Sequence, residues 1–545
     1  MREQVEKMDR RSYSVRLWQW IWIAFMVLAT STPYLVNYFF TPPGFHYTWI
    51  IPPYPEDSLG YMAWSQQAAH GSLLFKVKYT ALPHAPFLFH PFFLICGFIS
   101  SLLACDVGVI HFIARVVGVV LFFVIFFRYI DYLELNSLQS AIATILVGIS
   151  PGCGYLALAF GIYPSSNYYI PIYLNMPECE SNTFWSLLWN PLFPYSLSLL
   201  VLSIHLMDRG TREARNRDLW LSGLCVAILT LIHPYQIPLL FAFAVMIVAF
   251  RQGKDAMGPL LRFLVPTLPS VLYMFLMSKY HPIAAMHSSS GEMKSSNLLS
   301  VAVGFGIPLL LALAGLGVEW RKIVPRYWQL LLWVLLSISF SYLPFWFQRK
   351  FIFSIPVPLC ILAGISVDWI LARIYGERIR RWALVGATLL LLPLAASTQV
   401  PLLVSERRIV RENMDSIYYI DTDLLNALNF LKHNSNPDDI VFATESPSEL
   451  IPAFTGNTVV WGHWAMSVDI RQRTKWFANI FSERSSWDLN KRRREFWGAG
   501  IRFIFVSGDL KLWFDKAHPP WLAQGTDKVF ENASVIIYRK RDVPM

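Results

Sequence analysis

The chain has 545 residues, of which 55% are hydrophobic, 15% aromatic and 15% charged, where soluble domains carry roughly 25% charge. Its 46 Lys and Arg against 36 Asp and Glu leave a net charge of +10, and the mean hydropathy is +0.41. A disordered chain and an ordinary cytosolic enzyme are both excluded. The basic residues sit between long apolar blocks, which is topological bias and not a nucleic-acid face, so no nucleic-acid partner is expected.

A cationic start, MREQVEKMDRRSYSVR, precedes an apolar run from Leu17 to about Phe40. That run is too long for a cleaved signal and reads as a first helix starting in the cytoplasm. Further apolar segments lie near 86–105, 107–128, 138–160, 187–207, 219–233, 236–250, 260–278, 297–318, 327–346, 351–371 and 382–400. Most approach the ~20 residues that span a bilayer. Two are short because His233–Pro234 breaks the run between them.

Cationic connections at 208–218, 251–263, 319–326 and 372–381 are expected on the cytoplasmic side, which places the tail outside. Twelve crossings from an inside start would end inside. One segment therefore does not cross simply, or there is one further crossing, and 84–136, where turn signals are weakest, is the stretch in question. The expectation is about 11–13 transmembrane helices in residues 1–404, with outer loops at 41–83 and 161–186.

From about Ser405 the composition turns soluble. IVFAT (440–444), TVVWG (458–462), IRFIFVS (501–507) and SVIIYR (534–539) alternate like strands. LLNALNFLK (424–432) and RQRTKWFANIF (471–481) have helical spacing. Residues 405–545 thus read as a soluble extracytoplasmic α/β domain. No repeat of fixed period and no nucleotide-binding glycine motif is present.

In the first outer loop Glu56 and Asp57 precede a short helix, Ser58–His70, whose Tyr61, Trp64 and Ala68 share a face suited to the bilayer surface. A carboxylate there can deprotonate an acceptor hydroxyl or hold a divalent cation against a phosphate. The plainer reading makes Asp57 an N-cap. In the second loop Glu178 and Glu180 have a spacing that can share one cation or one proton. Lys76, Lys78 and His84 are candidate phosphate-holding groups. Arg349 and Lys350 break the inside bias at an outer interface and call for an anionic partner or snorkel to headgroups. His463, after a Gly at a strand end, either shapes a turn or faces a site. His233 is read as a helix-break residue. Of the six cysteines, Cys153 and Cys179 flank one loop and are a candidate disulfide; the others read as small core hydrophobes.

Asp57 followed by Tyr61, Ala68 and Gly71 resembles the first outer loop of GT-C glycosyltransferases, integral membrane enzymes that use polyprenyl-phosphate sugars. The likeness continues through Tyr79-Thr80 and His84, SPGCGY (150–155), PECESNTF (177–184), PLFPYSL, Arg349–Lys350 and IPAFTGNTVVWGHW (451–464). More narrowly it resembles bacterial RgtA/B/C/D-like members. The resemblance implies Asp57 as general base, with Glu56 as the alternative because it precedes where relatives begin with Asp. It implies Glu180, then Glu178, as the acid that positions donor phosphate or metal, and Arg349 as the cation on the lipid phosphate. The expected partners are a polyprenyl-phosphate-linked sugar donor, an extracytoplasmic acceptor and the bilayer of the cell (inner) membrane. A divalent cation, Mg or Mn, is the only cofactor left open. A transporter or a non-catalytic envelope scaffold is the competing class; the chain lacks the clear repeats and the broken, charged mid-membrane helices that transporters show.

Overall fold

The computed structural model describes residues 16–149, 152, 182–288, 293–412, 417–468, 470–482, 485–508, 522 and 525–541. The chain forms two compact units. One comprises Met1–Thr32, Ala114–Leu272 and Glu292–Ser405; the other comprises Pro33–Ile113, Tyr273–Gly291 and Glu406–Met545.

The protein is polytopic. Six described stretches are long and apolar enough to cross a membrane: Leu17–Phe39, Val107–Tyr132, Pro234–Asp255, Met257–Tyr280, Leu298–Phe340 and Gln348–Arg373. In chain order the helices are α1 (Leu17–Phe39), α2 (Pro55–Ala69), α3 (Pro91–Leu103), α4 (Val107–Tyr132), α5 (Ser137–Ile149), α6 (Thr183–Trp189), α7 (Leu192–Arg212) and α8 (Asn216–Ile232). They continue with α9 (Ile237–Gln252), α10 (Met257–Tyr280), α11 (Pro282–Ser288), α12 (Leu298–Phe340) and α13 (Pro356–Glu412). The break at His233–Pro234 is present: α8 stops at Ile232 and a 3₁₀ turn, Pro234–Gln236, leads into α9.

Sequence and structure differ at three connections. α12 runs 43 residues, about 65 Å at 1.5 Å per residue, enough for two passages. Its backbone leaves helical geometry at Gly306, Glu319 and Tyr327, beside Pro308 and Pro325, so the chain breaks at both ends of the expected 319–326 connection while the stretch between is helical. Likewise 372–381 is helical within the 57-residue α13. The connection at 208–218 shrinks to a turn at 213–215, because α7 extends through its own cations to Arg212.

Buried polar groups fix the helix pairs of the first unit. Asp368 accepts from Asn136 (2.8 Å) and Gln139 (2.9 Å), and a Cβ on Gly364 would lie 2.6 Å from the Gln139 carbonyl, so α5 and α13 approach closely. Ser203 and Ser222 bond across α7 and α8 at 3.0 Å. The cationic connections meet in pairs, Arg251 with Asp208 and Arg373 with Glu319 at 3.1 Å, and Arg326 reaches Glu134 between α4 and α5 at 3.3 Å.

The second unit joins the first polar loop to the tail. β1 (Phe45–Tyr47) pairs antiparallel with β2 (Tyr419–Asp421), with His46 opposite Ile420. Thr48 extends the stitch by donating to the carbonyls of Ile417 (2.8 Å) and Tyr418 (3.0 Å). Beyond lie α14 (Thr422–Asn434), β3 (Ile440–Phe442), α15 (Glu445–Thr455), β4 (Thr458–Val459), α16 (Ile470–Phe481), α17 (Leu489–Gly498), β5 (Ile501–Ser507), β6 (Thr526–Glu531) and β7 (Val535–Lys540). The five-stranded sheet has the order β4-β3-β5-β7-β6, parallel among the first three and antiparallel at β5–β7 and β7–β6. Its two faces carry separate apolar clusters, one around Val441, Leu450 and Phe505, the other around Phe442, Phe496 and Ile504.

α3 falls within 84–136, the stretch where the sequence expects a segment that does not cross simply. At 13 residues it rises about 20 Å, short of the ~30 Å hydrocarbon core. It packs instead on α2, where a Cβ on Gly97 would lie 2.1 Å from the Ser65 carbonyl. Tyr61 and Trp64, expected on the bilayer surface, each lie 5.2 Å from the Phe93 ring of α3. That face of α2 is a helix–helix contact.

Candidate active site

α2 begins at Pro55, whose fixed φ suits the first helical position, and Tyr54 occupies the cap. Asp57 is therefore not the N-cap. Glu56 and Asp57 lie in the first turn, where unsatisfied amides and the helix dipole favour anions.

Asp57 faces His463. His463 Nε2 lies 3.8 Å from Asp57 Oδ1; the imidazole side chain is 1% exposed and the carboxylate 46%. His463 Nδ1 accepts from the backbone amides of Ala465 (3.0 Å) and Met466 (3.3 Å). With Nδ1 occupied as acceptor, the proton of the neutral ring is assigned to Nε2, on the side of Asp57.

The surroundings hold that ring. Tyr79 packs 5.5 Å from it and donates from its hydroxyl to the Glu449 carbonyl at 3.1 Å. Burial pushes the Tyr79 phenol well above its usual range. A Cβ on Gly462 would lie 2.8 Å from the Ser448 carbonyl and 3.0 Å from Tyr79, and the Gly462 amide donates to Ser467 Oγ at 2.9 Å. A Cβ on Gly60 would lie 2.6 Å from Met466 Cε and 3.6 Å from the His463 ring. Gly60 thus permits α2 to approach the His463 turn, and Gly462 permits that turn to approach α15 and Tyr79.

Lys76 and Lys78 converge on one carboxylate, Asp438, at 3.3 and 3.1 Å. Lys78 Nζ also donates to the Pro437 carbonyl at 2.7 Å. Burial lowers the Lys78 pKa although Asp438 raises it. Burial raises the largely exposed Asp438, yet Lys78 and Lys76 outweigh that and its pKa is lowered. Both lysines tie the first loop to the tail.

His84 closes its own loop: Nδ1 donates to the Leu82 carbonyl (2.8 Å) and Nε2 accepts from the Val77 amide (3.1 Å). Both ring nitrogens are engaged, and burial lowers its pKa, with a smaller push from His281.

Arg349 and Lys350 belong to the other unit, on a 3₁₀ turn, Gln348–Ser354. The Arg349 amide donates to the Met293 carbonyl at 3.1 Å. Lys350 Nζ stands 5.8 Å from the Phe193 ring and 5.7 Å from the Tyr235 ring, within cation–π range, and Gln236 donates to its carbonyl. The buried His233 ring lies against the same two aromatics.

Glu178, Glu180, Cys153 and Cys179 lie outside the described residues. Cys96, Cys225 and Cys360 are buried free thiols, as their apolar blocks predict. Among the described residues no group of three His, Cys, Asp or Glu could hold a metal ion. Sequence reading missed Asp438, an ordinary-looking acid in NPDD, and the roles of Gly60 and Gly462. A glycine inside a helical run was the one available signal.

No family model and no curated protein matches the chain. Solved structures do. The chain is similar to ArnT from Cupriavidus metallidurans bound to undecaprenyl phosphate, with a TM-score of 0.51 at 12% identity, covering 95% of this chain and 97% of that one. The same protein in the apo state gives 0.49 at 12% identity. The oligosaccharyltransferase AglB from Archaeoglobus fulgidus, in complex with an inhibitory peptide and a dolichol-phosphate, gives 0.47 at 11% identity over 97% of this chain and 75% of that one. By the first of these, the fold is that of ArnT over nearly the whole chain.

Proposed function

We propose that the protein is a membrane glycosyltransferase that moves a sugar from a polyprenyl-phosphate donor to an extracytoplasmic acceptor. What supports this reading is a half-exposed carboxylate, Asp57, in the first turn of α2, within a fold shared with a protein solved with undecaprenyl phosphate. The amino terminus is cytoplasmic and the tail extracytoplasmic, in keeping with a non-crossing α3 and paired cationic connections.

Asp57 takes the proton from the acceptor hydroxyl as its oxygen attacks the anomeric carbon. The bond from that carbon to the phosphate oxygen breaks, polyprenyl phosphate leaves, and the anomeric configuration inverts. Arg349, with Lys350 beside it in sequence, meets the charge on the leaving phosphate. Glu180 and Glu178 keep the positioning role that their loop resemblance implies.

The test supplies undecaprenyl-phosphate-linked hexoses and pentoses to proteoliposomes together with membranes of the producing cells, and follows release of undecaprenyl phosphate. Asp57→Asn should lower release about 10²–10⁴-fold, the usual weight of a general base. Full release in the Glu56→Gln, Asp57→Asn double variant would overturn the reading.

A further inference from the structure

We infer that His463 is a positioning residue for Asp57, an assignment that rests on the reading of Asp57 as the base. The tail domain, through this one imidazole, sets the orientation of the first-loop carboxylate.

Three observations converge. The two backbone amides on Nδ1 fix the ring orientation and leave Nε2–H as its outward donor. The ring is enclosed by Tyr79, Met466 and the approach at Gly60, so it cannot swing away from α2. Its outward nitrogen is 3.8 Å from Asp57 Oδ1, beyond a hydrogen bond of about 3 Å and within the reach of a small side-chain rotation. Catalytic hydrogen bonds are commonly long before substrate binds and shorten in the complex.

The division of exposure fits that role. His463 is walled off from solvent, whereas Asp57 is nearly half exposed and keeps one side of its carboxylate for an acceptor hydroxyl. A base held from behind by a charge-assisted hydrogen bond loses rotamer freedom without losing access. A histidine that merely shaped the 462–467 turn would need only the Nδ1 contacts.

Two conservative variants separate these possibilities. His463→Asn keeps an acceptor near the Nδ1 position for the Ala465 and Met466 amides but is too short to reach Asp57. His463→Gln carries a donor to the Nε2 position. kcat and KM for undecaprenyl phosphate release are measured for both, beside wild type and Asp57→Asn, on the same donor panel. The expected result is kcat about tenfold higher in the Gln than in the Asn variant, with KM unchanged. In an Asp57→Asn background that difference should vanish. Equal kcat in the Gln and Asn variants, whether high or low, overturns the positioning role, while inactivity of Asp57→Asn leaves the base assignment standing. Full activity of Asp57→Asn instead removes the base assignment itself.

Discussion

Lys78 and Asp438 form an ion pair with one end inside the protein and the other in water: the lysine side chain is 3% exposed and the aspartate 74%. The aspartate is thus cheap to keep charged and the lysine is not. Asp438→Asn leaves a buried ammonium with the Pro437 carbonyl as a remaining acceptor. The expected loss is about 1–3 kcal/mol in thermal unfolding of the detergent-solubilised protein. Lys78→Met, which removes the buried charge altogether, should cost less.

The same pair sets an acid limit. Asp438 has its folded pKa below the usual 3.8, so its contribution is complete above that value and lost as pH falls through the folded pKa. Unfolding midpoints measured downward from neutrality should fall more steeply in wild type than in Asp438→Asn.

His84 gives a second pH dependence at a higher window. Its folded pKa lies below 6.5, chiefly from burial, with His281, Lys76 and Lys78 as the charged or titratable groups facing it and the Leu82 carbonyl opposing. The unfolded chain therefore binds the proton more readily, and stability is full above pH 6.5 and declines below. Between about pH 7.5 and about pH 5.5 the midpoint should drop in wild type, and the drop should shrink in His84→Gln.

The two glycines that pack the His463 turn differ in what a methyl group would meet. At Gly462 the obstacle is the Ser448 carbonyl at 2.8 Å, which is backbone and cannot yield cheaply. At Gly60 it is the mobile end of Met466. Gly462→Ala should therefore lower both the unfolding midpoint and donor turnover. Gly60→Ala should change the midpoint little, since Met466 can rotate away.

Inside the membrane part, Asp368→Ala strands the amides of Asn136 and Gln139 together. Each unsatisfied group costs about 1–3 kcal/mol, so a marked drop in detergent-extracted folded protein is expected by size exclusion. Asp368→Asn, which keeps an acceptor, should recover much of it.

Much of this architecture was legible in the chain. Apolar blocks located most spanning helices, and the apolar, β-branched and aromatic run IRFIFVS matches β5, Ile501–Ser507. The elements that escaped had their signals masked by local chemistry. α15 carries Pro447 and Pro452 yet is helical, because Pro447 lies in the first turn and tertiary packing on the α2 side overrides Pro452. α17, with Lys491 and Arg492 to Arg494 in a row, shows no apolar stripe; only Phe496 and Trp497 are buried. β6, TDKVFE, is an exposed edge strand with a broken register against β7. At the site, Asp57 and His463 were each singled out, but their approach spans some four hundred residues of chain. No local pattern encodes it; the packing of α2 against the tail does.

The short helix α3 has one more consequence. Its inner side is fused to α2 through Gly97, while Ile95, Phe98 and Leu102 point outward and are exposed. A segment of this length, apolar on its outer side, has the character of helices that lie at a lipid–water boundary. On a bilayer surface such a helix would carry α2, and with it the Asp57 carboxylate, at the depth α3 takes up. Loading Phe98 with charge would lift the carboxylate away from lipid headgroups without touching a residue near it.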